Sequence, residues 1–368
     1  MSGSKPHIAL SFTRKLLPFA DAASTDLPLS QLLRLSLFQI SVGMATVLLL
    51  GTLTRVMIVE LGVAATIVAL MVAIPVLIAP FRAALGFKSD NYRSAIGWKR
   101  VPFIWFGSLW QMGGLAIMPF ALIVLSGDQT IGPSWAGEVL AGLAFLMTGL
   151  GLHMTQTAGL ALASDRAPKD KRPRVVALLY VMFLLGMGLS ALIIGYLLKD
   201  FSNLRLIRVV QGAALFGLVL NLVALWKQEH VKPMPKGQRV EPPPMFREAW
   251  ADFINKGDNA RLIMVVFIGT LAFNMQDVLL EPYGGQVLKL SVSETTWLTV
   301  AWAGGALFGF GIAAQRLNKG IDPSNLMNFG VLVGFVAFTC VIFASPILSV
   351  ILFFAGTFLI GLGAGLFS

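Results

Sequence analysis

Three groups of residues carry chemistry that their apolar surroundings do not explain. His153 lies deep in Gly149-Leu-Gly-Leu-His-Met-Thr-Gln-Thr-Ala-Gly-Leu160. A histidine there can be a hydrogen-bonded packing residue, a proton relay or, as neutral imidazole, the fifth ligand of a chlorin magnesium. Gly149 and Gly151 leave room for a flat macrocycle, or equally for the close approach of another helix. The second group ends an apolar run: Phe273-Asn-Met-Gln-Asp-Val-Leu-Leu-Glu-Pro-Tyr-Gly-Gly-Gln286. Asn274, Gln276, Asp277 and Glu281 place polar groups in its last turns, Asp277 and Glu281 on one face. Pro282 and Gly284-Gly285 then terminate the helix. Such groups are costly in lipid and point to a cavity, a polar helix contact or a binding site. His153, Gln156, Asn274 and Gln276 are the candidate cofactor-binding residues. Arg55, Glu60, Arg205, Arg208, Asp277, Glu281 and Tyr283 are a candidate outer polar cluster, the arginines being possible partners for the carboxylates; a structural salt-bridge cluster competes with a binding role. The third group is the turn Gly86-Phe-Lys-Ser-Asp-Asn-Tyr-Arg-Ser-Ala-Ile-Gly-Trp-Lys-Arg100. Gly86 would let a helix end approach its neighbour, Asp90 would accept charge-assisted hydrogen bonds, and Lys99 and Arg100 would anchor the next helix. Arg93 and Gly97 complete this candidate loop motif, with a plain basic turn as the alternative.

The elements that must position these groups are membrane spans. A span needs roughly 20 apolar residues, and ten segments qualify: 34–59, 64–86, 102–126, 136–163, 174–198, 206–227, 261–282, 295–315, 325–344 and 347–367. Hydrophobic residues make up 56% of the chain and charged residues 12%, about half the usual share of a soluble domain. The 37 glycines suit helices packed closely in lipid. The single cysteine, Cys340, falls inside an apolar span and argues against a thiolate metal site.

The loops between the spans alternate between basic and nearly cation-free. Of 28 Lys and Arg, only Arg55, Lys199, Arg205, Arg208 and Lys289 fall on the poor side. The positive-inside rule therefore places the N-terminus and the even loops in the cytoplasm. The net charge of +10 is explained by topology and not by nucleic acid; membrane lipid is a further candidate partner of the basic loops. The first apolar run is too long for a cleavable signal peptide. Before it, residues 1–33 form a cytoplasmic segment in which Ile8–Phe19 can lie as an interfacial helix.

Six spans over 34–227, a proline-rich cytoplasmic linker over 228–260 and four further spans over 261–368 follow the plan of the major facilitator superfamily. The expected fold is all-α, two pseudo-symmetric helix bundles with about ten of twelve helices present. The missing pair suggests a truncated chain. Every Asp and Glu falls near a segment end or in a loop, which weakens a proton-coupled transport reading.

Several strings are more specific. Phe19-Ala-Asp-Ala-Ala23, Leu32-Leu-Arg-Leu-Ser-Leu-Phe-Gln39, Ser41-Val-Gly-Met44, Leu53-Thr-Arg-Val-Met-Ile-Val-Glu60, Arg93-Ser-Ala-Ile-Gly-Trp-Lys-Arg-Val-Pro-Phe103 and Gln276-Asp-Val-Leu-Leu-Glu-Pro-Tyr-Gly-Gly285 resemble the bacteriochlorophyll delivery family of the major facilitator superfamily, the PucC and LhaA light-harvesting assembly proteins. The likeness runs from about residue 15 to the end. It implies a non-enzymatic assembly factor in the photosynthetic inner membrane. Bacteriochlorophyll would be its cofactor, with carotenoid a further candidate. Light-harvesting antenna polypeptides would be its partners, and the reaction centre–core antenna complex a further one. The competing class is an alternating-access small-molecule transporter, which should show a substrate-sized polar cavity between the halves. A pigment chaperone should show lateral, lipid-facing pockets.

Overall fold

The computed structural model describes residues 22–24, 27–78, 81–92, 94, 97–126, 133, 135–229, 246–255, 257–274, 276, 279–317 and 319–367, with the backbone alone at Ala249 and Asn274. The expected interfacial helix Ile8–Phe19 and the linker prolines lie outside these residues, as do Arg93 and Asp277 of the candidate sites.

The described chain is helical. α1 spans Leu29–Glu60 and α2 Ala65–Asn91, the latter described as Ala65–Ile78 and Phe81–Asn91. α3 (Val101–Leu125), α4 (Ala136–Arg166), α5 (Arg172–Leu197) and α6 (Asn203–Leu225) follow. A short α7 (Phe246–Ile254) precedes α8 (Asn259–Asn274), α9 (Leu280–Val287), α10 (Val292–Leu317), α11 (Pro323–Ile347) and α12 (Val350–Phe367). Among the described residues nine helices are long and apolar enough to cross a membrane. The chain is a multi-pass membrane protein.

Local chemistry sets the boundaries. Prolines occupy the first turns of α3, α5 and α11, where the missing N–H costs nothing. Ser202 caps α6 and Asp322 caps α11. Ser291 and Glu294 form a reciprocal capping box at α10, at 2.8 and 3.2 Å.

Two expectations are corrected. Span seven is not one helix: α8 stops at Asn274, and α9 restarts over the Gln276 carbonyl, which accepts from the N–H groups of Leu279 and Leu280 at 3.0 and 2.9 Å. Gln276 and Leu279 are turn residues, and Pro282, Gly284 and Gly285 lie inside α9 instead of terminating a helix. The second basic loop is also shorter than expected, because α2 continues past Gly86 to Asn91.

α1 is the central strut. It packs on α4, α5 and α6, and α5 in turn packs on α10 of the second half. The contacts are made by small residues. Gly43 of α1 and Gly186 of α5 each face the other helix's backbone so closely that a Cβ would overlap it. Gly305 of α10 and Gly361 of α12 do the same for each other's helices. α1 itself contains two π-helical stretches, Val47–Thr52 and Val56–Glu60, with the Thr54 hydroxyl donating to the Leu49 and Leu50 carbonyls at 2.8 Å each. Wider turns of this kind re-aim side chains and gather at functional sites; here they flank Gly51 and Arg55.

Candidate functional site

A cavity of about 350 Å³ lies between the two halves of the bundle. α1, α2, α4 and α5 supply one wall; Gln276, α9 and α10 supply the other. Most of the lining is apolar, but two polar groups of opposite character face into it. On α2, Arg82 donates to the Gln156 amide oxygen at 3.0 Å and the Thr157 hydroxyl at 3.1 Å. On α9, Glu281 is only 3% exposed. Its Oε1 accepts from the Thr299 hydroxyl at 2.9 Å, while Oε2 has no hydrogen-bond partner among the described residues. Gly51 in the first π-helical stretch makes room for this carboxylate, since a Cβ there would overlap it. Glu281 is therefore interior, although the sequence places every Asp and Glu near a segment end or in a loop. Glu281 of α9 and Arg82 of α2 both line the cavity.

His153, Gln156 and Gln276, three of the candidate cofactor-binding residues, line this one cavity; the Asn274 side chain lies outside what is described. His153 Nε2 donates to the Pro75 carbonyl at 3.0 Å, tying α4 to α2 at the proline. The two glycines beside it are already filled. A Cβ at Gly149 would overlap Pro75, and one at Gly151 would overlap the α3 backbone at Gly107 and Gln111. The geometry favours the packing reading of His153 over the ligand reading. The cavity is small for the bacteriochlorophyll that the resemblance implies. About 350 Å³ is near the lower end for a drug-sized ligand, and a bacteriochlorophyll with its isoprenoid tail is far larger.

The candidate outer polar cluster divides into separate contacts. Arg55 is buried and pairs with Glu60 one wide turn on. Its Nη2 also donates to the Leu290 carbonyl at 3.0 Å, across the two halves. Nearby, the hydroxyls of Thr52 and Thr296 meet at 3.3 Å. Thr52–Thr296 and Arg55–Leu290 thus bridge the two halves on the cation-poor side. Arg205 and Arg208, possible partners by sequence, do not pair with Glu281. Arg205 pairs with Asp200 at 3.2 Å, and both arginines line a different groove, between α5 and α6. Tyr283 packs its ring on Phe353, 5.9 Å between centroids. Losing the Arg55 bridge should loosen this junction and expose it to water. In a Cys340→Ser background, a cysteine placed at Thr52 should react about tenfold faster with a membrane-impermeant maleimide once Arg55→Ala is added, since a charged hydrogen bond is worth about 1.5–3 kcal/mol. An unchanged rate would remove Arg55 from the junction.

At the basic end, the loop motif is a built cluster. Arg100 is buried and pairs with Asp90 and, at 3.0 Å, with Asp165 of α4; it also donates to the Ser89 hydroxyl. The Glu229 carboxylate caps α3, accepting from the backbone N–H groups of Lys99, Arg100 and Val101 at 3.0, 2.9 and 3.1 Å. Gly97 adopts φ +85° in the intervening turn, a conformation glycine takes freely. Gly86 is not a close-approach position, for a Cβ there would sit 3.7 Å from Thr157; helices α2 and α4 meet instead at Pro75 and Gly149. Sequence reasoning missed Asp165 and Glu229. Both are carboxylates at helix ends that face basic turns, and that placement is the signal that would have found them.

The two-halved bundle with an interior cavity defines a membrane protein of the major facilitator architecture. The partially occluded inward-open form of the xylose transporter XylE from E. coli is similar at TM-score 0.63 and 13% identity, covering 92% of this chain and 84% of that one; such a likeness speaks to fold alone. A family model described as PUCC protein matches residues 52–368, and the chain belongs to that family. It is 65% identical over 351 residues to the "uncharacterized protein in puhA-bchM intergenic region" of Rhodobacter capsulatus, covering 95% of this chain and 74% of that one. It is 55% identical over 359 residues to Protein PucC of Rhodovulum sulfidophilum, covering 96% and 79%.

Proposed function

We propose that this PUCC-family protein is a membrane-bound assembly factor for light-harvesting antenna complexes, and that it hands bacteriochlorophyll to antenna polypeptides at its lipid-facing flank. It works without catalysis, in the photosynthetic inner membrane, with its N-terminus in the cytoplasm. The observation that carries this reading is the family match over residues 52–368, set on a bundle whose interior cavity is too small for the pigment. The flank is where a large apolar ligand finds room. Trp105, Phe106, Trp110 and Phe120 are exposed along one side of α3, and aromatic rings of this kind stack readily on a macrocycle.

The test is an absorption spectrum of the gently solubilised, affinity-purified protein, with extraction and quantification of pigment and antenna polypeptide. Near-stoichiometric bacteriochlorophyll is expected. It should be unchanged in His153→Leu, where the imidazole serves a helix contact, and at least halved in Trp105→Ala/Trp110→Ala. Folded protein carrying neither pigment nor antenna polypeptide would overturn the proposal. It would favour the second reading, a small-molecule transporter, which draws on the cavity shared by Arg82 and Glu281.

A further inference from the structure

A second space, of about 910 Å³, opens on the side of the bundle between α5 and α6. These helices follow one another in the chain, yet each leans mainly on other partners, α1 among them. Their outer ends are left apart, with Met44 of α1 between them. Ile193, Leu197, Val209 and Phe216 give the groove apolar walls. Gly212 lines it with no atom within 4 Å of where a Cβ would lie. The mouth is polar and basic: Lys199, Arg205 and Arg208, with Asp200 as the carboxylate among them.

The charge balance at this mouth is unusual for its end of the molecule. That end carries few cations, and three of them, Lys199, Arg205 and Arg208, converge here. Asp200 is engaged by Arg205 at 3.2 Å. Lys199 and Arg208 have no carboxylate partner among the described residues. A basic rim above an apolar trough complements an amphiphile with a negatively charged head. A chlorin whose acid group is esterified offers these cations nothing to pair with. An antenna helix would need an apolar face along its whole length, not a pocket with a charged end.

We propose that the α5–α6 groove is a lateral binding site for an anionic glycerophospholipid of the adjacent leaflet. Lys199 and Arg208 hold the phosphate, and an acyl chain lies along Ile193, Leu197, Val209 and Phe216. The volume is in the upper range of ligand pockets, enough for a head group and the first part of a chain.

Native mass spectrometry of the full chain tests this, after delipidation in mild detergent and titration with phosphatidylglycerol or phosphatidylcholine. Wild type should retain one phosphatidylglycerol in preference to phosphatidylcholine. Lys199→Ala/Arg208→Ala should weaken phosphatidylglycerol retention by about 30-fold, two surface cations acting independently, and abolish the preference. Gly212→Leu puts a side chain into the trough from a position whose Cβ meets nothing within 4 Å, and should lower retention of both lipids. Melting curves matched to wild type establish that each variant is folded, and Lys199→Gln/Arg208→Gln replaces the alanine pair if that pair is not. Equal retention of the two lipids by wild type would overturn the proposal. So would wild-type retention in the charge variant or in Gly212→Leu, or recovery of bacteriochlorophyll or an antenna polypeptide in the lipid's place.

Discussion

Gly151→Ala should cost about 3 kcal/mol and sharply reduce the yield of monodisperse protein, although it adds a single methyl group. α3 and α4 are the most intimately packed pair in the first half. Their contact is backbone on backbone: a Cβ at Gly151 would overlap Gln111 N and Gly107 O, and one at Gly107 would lie 2.8 Å from Thr155 N. No side chain can swing away to make room, so the helices must separate. Overpacking typically costs about 1–3 kcal/mol, and rigid neighbours place this site at the top of that range. Gly142 on the same helix is the control, because nothing lies within 4 Å of its would-be Cβ. There alanine should gain up to about 1 kcal/mol of helix propensity. Thermal unfolding in one detergent compares the two. Shifts of the same sign would mean that the α3–α4 contact is looser than described.

Arg100→Ala should be the most damaging change at the basic end, at about 2–3 kcal/mol. The side chain is 3% exposed and serves Ser89, Asp90 and Asp165 at once. Its removal frees three elements, the end of α2, the start of α3 and the end of α4, and leaves a void. The carboxylates are half-exposed, at 54% and 44%, so water replaces part of what each loses. Asp90→Asn should accordingly cost only about 0.5–1 kcal/mol. Arg100→Lys should recover little, because one ammonium cannot reproduce a planar fork aimed at three acceptors. Glu229→Ala should fall between, near 1–2 kcal/mol, as the loss of a charged helix cap. Unfolding midpoints that rank Asp90→Asn level with Arg100→Ala would refute the hub.

The spans were legible because apolar length is a one-dimensional property, and nine of the ten expected segments are helices of crossing length. The tenth was misread for a physical reason. Hydropathy averages over Gln276, whereas the backbone leaves the helix there and resumes it at Leu280. The same break hid the cavity, since Glu281 looks peripheral on a straight helix and turns interior on a restarted one. Arg82 already fell inside the expected second span, and only the packing of the helices shows that it lines the cavity. The loop motif was readable as far as Asp90 and Arg100, which are near in sequence. Asp165 and Glu229 come from 65 and 129 residues beyond Arg100, a pairing that no local pattern announces. His153 showed that a polar residue was needed there, and only the Pro75 carbonyl shows why.

The cap on α3 also sets a timetable. The first turn of α3 exposes the N–H groups of Lys99, Arg100 and Val101, and the carboxylate that satisfies them belongs to Glu229. During synthesis at roughly 5–20 residues per second, that carboxylate leaves the ribosome on the order of ten seconds later. Until then the third helix sits in the membrane with an unfinished end, and Arg100 of the basic turn before it is held by Ser89 and Asp90, joined later by Asp165. The first half can lock only when its sixth helix has been delivered, so a nascent chain arrested before residue 229 should remain open to protease at the turn around Gly97.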